Sequence, residues 1–110
     1  MTATVRRGEV WLADLDKVRP VVVLTRDPMG RLLHSVIVAP VTSTIRGLST
    51  EVPMDRADGI RHPSVANLDS IQLLPRDRFR KRIGRAQPET MAALCAAMEV
   101  AVDCGGTRRS

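Results

Sequence analysis

Short runs in which apolar and polar residues alternate fill the first four-fifths of the chain, and the period lengthens only near residue 87. In residues 9–14 (EVWLAD), Val10 and Leu12 fall on one face and Trp11 and Ala13 on the other, the two-residue period of a strand. Residues 20–24 (PVVVL) are β-branched and apolar on both faces. They predict a buried strand that Pro20 can only open, because proline has no N–H to give a ladder. Residues 27–30 (DPMG) read as a turn. Residues 35–41 (SVIVAPV) form a second β-branched run, and residues 49–54 (STEVPM) a short strand whose Pro53 marks an edge. Residues 55–63 read as loop, residues 64–74 (SVANLDSIQLL) as one long or broken strand pair, and residues 81–86 (KRIGRA) as a last strand in which Gly84 marks a bulge.

Residues 87–102 change the period. Met91, Leu94, Cys95, Met98 and Val102 recur at helical spacing, Pro88 sits at the first helical position, and Glu89 complements the helix dipole in the first turn. Ala93, Ala96 and Ala97 make a second, small-residue face, and Gly105 and Gly106 end the helix ahead of a frayed tail. Five to seven short strands and one amphipathic helix predict a small, mostly antiparallel β-barrel with a C-terminal α-helix packed on it.

Size keeps that picture to one domain over residues 1–110, its core at about residues 6–103, with no linker, repeat or low-complexity tract. At 44% apolar residues the chain can bury a core without disulfides. Its longest apolar runs fall far short of the roughly 18 residues of a membrane span. No apolar stretch follows Arg6 and Arg7, so no signal peptide is expected. Cys95 reads as a small core residue and Cys104 as a free tail thiol, in keeping with a reducing cytoplasm.

Charge adds a partner class. There are 17 basic and 12 acidic residues, a net of +5, and 15 of the basic residues are Arg. Arginine's planar fork binds phosphate through two parallel donors, which points to a polyanion. Trp11 and Phe79 are the only aromatic residues, so base-stacking platforms of the kind that read single strands are not expected. Metal chemistry has no support: His34 and His62 are far apart and no C-x-x-C or H-x-x-x-H spacing exists. Neither a G-x-S-x-G elbow nor a nucleotide P-loop is present, and no cofactor is implied. What remains is a set of Arg, Thr, Ser and Asp residues at strand ends. From pattern alone, Arg19 is either a solvated flank or a placed group, and Thr42-Ser43-Thr44 either a turn run or a set of donors.

Several stretches taken together bring a family into view. RRGEVWLADLD (6–16), RPVVVLTRD (19–27), VIVAPVTS (36–43), ANLDSIQLLPRDRF (66–79) and RIGRAQPETMAAL (82–94) stand in the order and spacing of the MazF/PemK toxin endoribonucleases, which this chain resembles over about residues 6–103. The resemblance implies an SH3-like barrel, a homodimer, metal-independent cleavage of single-stranded RNA (mRNA or tRNA, sometimes rRNA) at a short motif, and a cognate antitoxin that wraps and inhibits the dimer. It implies catalytic roles for Arg19 and Thr42. Ser43, Asp69, Arg26, Arg46 and Arg85 are the candidate substrate-binding residues, with Arg61 and Arg78 as further cations that could line a groove.

The chemistry suits these residue types. In metal-free RNA cleavage the adjacent 2′-OH attacks phosphorus, and negative charge grows on the phosphoryl oxygens. One fixed donor aimed at such charge is worth about 2.7–4 kcal/mol. A guanidinium supplies two donors and a Thr hydroxyl a third, the latter with few rotamers because Thr is β-branched. A guanidinium cannot act as a neutral base, so Arg19 is assigned to charge stabilisation, and proton donation to the leaving 5′-oxygen stays open. This chain departs from the family in two places. Only Lys17 and Val18 stand between DLD and RP, where most members carry a long loop, so a more open site is expected. A Leu68-Asp69-Ser70-Ile71-Gln72 segment replaces the family's LEQIR-like one, with Asp69 either orienting a 2′-OH or serving as a turn residue. The other reading, from a different class, is a non-catalytic module on the same barrel that grips a protein such as DNA gyrase.

Overall fold

The computed structural model describes residues 4–26 and 34–102. The expected turn at residues 27–30, Cys104 and the glycines placed after the helix lie outside the described residues. Among the described residues seven strands form: β1 (Glu9–Asp14), β2 (Val18–Val23), β3 (Ser35–Thr42), β4 (Glu51–Met54), β5 (Ser64–Asn67), β6 (Gln72–Pro75) and β7 (Phe79–Arg85), followed by helix α1 (Pro88–Val102). Every pairing among them is antiparallel, in the order β4-β5-β3-β2-β1-β7, with β6 also on β3. This is the small β fold with a C-terminal helix that the pattern predicts.

β3 is the hub. One edge pairs with β2, while the other takes β6 along its first half and β5 along its last two residues. The 64–74 segment is thus one bent strand, interrupted by a 3₁₀ turn at Leu68–Ser70 that Asn67 caps. The β7 bulge also appears, since Val10 faces Gly84 but Trp11 faces Arg82.

Closure departs from a continuous barrel. β4 and β7, at the two ends of the strand path, are not joined by a ladder. The loop after β4 packs on β7 instead, through two glycines. A Cβ on Gly59, whose φ is +92°, would lie 2.6 Å from the Gly84 Cα, so the approach requires the bare backbone. Asp58, buried beside it, accepts from the backbone N–H of Asp55 at 3.2 Å and of Gln87 at 2.8 Å, tying this loop to the start of α1.

Apolar side chains fill both faces of the sheet. Under α1, Leu94 and Ala97 meet Val10, Val22, Met54 and Leu68. On the other face Val21, Val23, Val36 and Val38 surround Phe79, whose ring meets Trp11 edge-to-face at 5.8 Å. The helix presents Leu94, Ala97, Met98 and Ala101 inward, with Met91 alongside. Ala97, expected on the small-residue face, is therefore core, and Val102, expected in the core, is exposed. Cys95 is half-buried and accepts a hydrogen bond from Arg7 Nη2 at 3.0 Å. Among the described residues no helix is long and apolar enough to cross a membrane.

Candidate functional site

β2 begins at Val18, two residues earlier than the apolar run suggests. The β1–β2 turn is so short that the ladder resumes at once, pairing Asp14 with Val18 and Ala13 with Arg19. Arg19 is therefore a ladder residue with its backbone fixed on the β1 side, not a flank ahead of a strand. The β2–β3 register explains its second neighbour. Val23, Val22 and Val21 pair with Val38, Ala39 and Pro40. Two more steps in the same register lead to Arg19 on one strand and Thr42 on the other, just past the last β2–β3 pair, where the opposite edge of β3 is paired with β5. Arg19 and Thr42 accordingly line the same two clefts, with Val41 between them.

The guanidinium of Arg19 is already held. Its Nε donates to Asp16 Oδ1 at 2.9 Å and its Nη2 to Asp16 Oδ2 at 3.3 Å. Asp16 thus takes the side of the fork and leaves the end, Nη1 with the second Nη2 proton, for another anion. The hydrogen bond from Arg19, reinforced by its charge, holds the Asp16 carboxyl down at about 2, and the same contact pushes the Arg19 guanidinium further above its ordinary value. Arg19 therefore stays charged at any physiological pH. Thr42 is half-buried, and its Oγ1 accepts the Thr44 backbone N–H at 3.1 Å. That bond orients the hydroxyl and leaves its proton to donate outward.

The first cleft, about 740 Å³, opens between the β1–β2 turn, β3 and β6, and receives Arg46 and Arg78 besides Arg19 and Thr42. Arg46 is held there by Glu51, whose Oε1 accepts the backbone N–H groups of Arg46, Gly47 and Leu48 at 3.0, 2.8 and 3.2 Å. The second, about 570 Å³, lies on the other side of the Arg19–Thr42 wall and receives Ser43, Lys17, Arg61 and His62.

The other sequence candidates divide. Ser43 and Arg46 reach the clefts. Asp69 does not line either. It is the middle residue of the Leu68–Ser70 3₁₀ turn, its N–H capped by Asn67, and its carboxylate accepts from Thr50 Oγ1 at 2.5 Å. Arg26 is exposed just beyond the end of β2 and lines neither cleft. Arg85 sits on β7 beside the buried Glu9 carboxylate, 4.0 Å from its Oε2, and lines a separate recess with Arg7 and Met91. Sequence reasoning did not single out Asp16. The signal it offered was an acidic residue three positions before the candidate arginine. Among the described residues, no group of three or more His, Cys, Asp or Glu is arranged to hold a metal.

Fold and site together define a small antiparallel β fold, capped by one helix, that offers an anion an arginine fork and a threonine hydroxyl. The chain belongs to the PemK-like, MazF-like toxins of type II toxin–antitoxin systems, whose family model matches residues 6–102. It is 45% identical over 107 residues to the probable endoribonuclease MazF5 of Mycobacterium tuberculosis, covering 94% of this chain and 98% of that protein. Among solved structures it is similar to the M. tuberculosis toxin MazF-mt6, at 41% identity and a TM-score of 0.83, over 86% of this chain and 96% of that one. A mycobacterial endoribonuclease in complex with its cognate antitoxin gives a TM-score of 0.84 at 27% identity, over 91% of this chain and 96% of that one.

Proposed function

We propose that this protein is the endoribonuclease toxin of a type II toxin–antitoxin pair, and that it cuts single-stranded RNA, mRNA or tRNA, at a short sequence motif. The observation that carries the reading is the Arg19–Thr42 wall: a fork clamped on one side by Asp16, open on the other, beside a hydroxyl oriented by Thr44. In the reaction the 2′-oxygen forms a bond to phosphorus and the bond to the 5′-oxygen breaks. The proton lost by the 2′-OH is balanced by the one the 5′-oxygen gains, leaving a 2′,3′-cyclic phosphate and a 5′-OH. Arg19 places two N–H groups on the phosphoryl oxygens where charge develops, and Thr42 adds a third donor. Because the donors are held before substrate arrives, little reorganisation remains for the chemical step.

Relatives named as endoribonucleases, and a structure of one in complex with its cognate antitoxin, support the activity and the partner. The working unit is a cytoplasmic homodimer, inactive while its antitoxin is bound. The test is incubation of purified protein with mixed mRNA and tRNA in EDTA, followed by sequencing of the 5′-OH ends. A recurrent cut motif is expected. Intact RNA with the wild-type protein, together with growth arrest in cells, would instead favour a module that grips a protein target.

A further inference from the structure

The two clefts beside Arg19 and Thr42 differ in charge. The first mixes Asp14, Asp16 and Glu51 with Arg19, Arg46 and Arg78. The second contains no carboxylate: Lys17, Arg19, Arg61 and His62 stand around a floor that includes Leu12, Pro20, Val41 and Ile83. It continues past Arg61 and His62 into a recess that adds Arg56 and one carboxylate, Asp55, whose Oδ1 accepts the Ala57 backbone N–H. The rim is built rather than incidental. Residues 59–62 are carried by the Gly59–Gly84 backbone contact, and the buried Asp58 anchors them to the start of α1.

The geometry points to this second cleft as the seat of the RNA segment adjoining the scissile phosphate, with Lys17 and Arg61 on a neighbouring phosphate and the apolar floor under the base between. The inference rests on the endoribonuclease reading for the identity of the strand. Three features favour RNA as occupant. The cleft shares Arg19 and Thr42 with the site, so a strand bound there needs no turn to enter it. Lys17 and Arg61 meet no carboxylate within the cleft, and Arg19, clamped by Asp16 on one side of its fork, keeps the other side open. An apolar floor beneath cations suits a base and its phosphate rather than a bare anion.

The test is binding, which does not depend on cleavage. A fluorescein-labelled, mixed-sequence single-stranded 2′-deoxy oligonucleotide of about 12 nucleotides, within the span such sites cover, is titrated from 50 to 200 mM KCl against wild-type protein, Lys17→Gln/Arg61→Gln and Lys81→Gln. Both cleft side chains are exposed and glutamine keeps most of their length, so folding is retained. For two phosphate contacts on a single strand, the slope of log K against log salt becomes shallower by about 1.4 in the double variant. Wild type then loses about sevenfold more affinity across that range, and the Lys81 variant follows wild type. On cleavable RNA the double variant raises KM and leaves kcat near wild type, the mark of binding shared by ground and transition states. An unchanged slope overturns the proposal. So does an unchanged slope with weakened antitoxin binding, or a changed oligomeric state in sedimentation, either of which makes this face a protein contact. If wild type binds as expected but cuts no RNA, the endoribonuclease reading fails and the cleft assignment stands as a single-strand site.

Discussion

On one side of Arg19 and Thr42, each carboxylate already has work within the protein. Asp14 takes Arg80 at 2.8 Å, Asp16 clamps Arg19, and Glu51 gathers three backbone N–H groups around Arg46. On the other side, Lys17 and Arg61 face no carboxylate in their cleft. The first cleft uses its charges to fix the geometry of a few donors. The second leaves its charges available to a polyanion. Rate in such a site comes from donors fixed before the reaction, whereas capture of RNA comes from unneutralised cations and their released counterions. A chain with a net charge of +5 can separate the two tasks only by where it puts its 12 acidic residues.

The sharpest break in the comparison is at the shared wall. Arg19→Ala is expected to lower the cleavage rate by about a thousandfold, and Arg19→Lys not to restore it, because an ammonium cannot present two parallel donors. Thr42→Ala follows at about a hundredfold. Both variants are expected to unfold at the wild-type temperature. A parallel loss of stability would mean the wall is scaffold rather than site.

Next comes the clamp. Asp16→Asn is expected to reduce kcat by about tenfold with KM little changed, since the fork keeps its charge but loses its aim. A rise in activity would instead make Asp16 a competitor of phosphate, reversing the role given to the first cleft. Arg46→Gln, at the rim of that cleft, removes one cation, and its effect on the salt slope is expected to be no more than about 0.7, half that of the Lys17/Arg61 pair.

The smallest effect is with pH. Asp16 has a carboxyl held at about 2 against an ordinary 3.8. A lowered folded value stabilises the fold above 3.8, and that contribution is lost as pH falls through about 2. The Nε–H resonance of Arg19 is therefore expected to hold one position from pH 5 to 8 and to move only in strong acid. A shift near neutrality would show that the clamp is not closed in solution.

The strands and helix were legible because each carries its own period, and strand pairing moved their ends by only a few residues. Arg19 looked like a flank because the apolar run starts at Pro20; the tight β1–β2 turn draws it into the ladder. Thr42 could be placed beside it only through a register that single-strand patterns do not encode. The helix misled at Ala97 and Val102 because side-chain size suggested the core face, while packing chose the Leu94, Ala97, Met98 and Ala101 stripe. Arg61 was one of several cations that could line a groove, with nothing to single it out, and His62 gave no sign of belonging to the site. Their position depends on a contact between Gly59 and Gly84, residues far apart in sequence, that bare glycines permit but do not announce. Asp69 offered two readings; its N–H is capped by Asn67 within the turn, while its carboxylate is taken by Thr50 ahead of β4.

The central claim is that Arg19 and Thr42 stabilise attack by the RNA's own 2′-OH. The direct measurement uses two oligonucleotides carrying the mapped cut motif, identical except that one has a single 2′-deoxy sugar on the 5′ side of the scissile phosphate. The account predicts cleavage of the all-ribose strand to a 2′,3′-cyclic phosphate and a 5′-OH, and no cleavage of the substituted strand at that bond. Cleavage of the substituted strand at the same bond would mean that water, not the 2′-OH, is the nucleophile, and would contradict it.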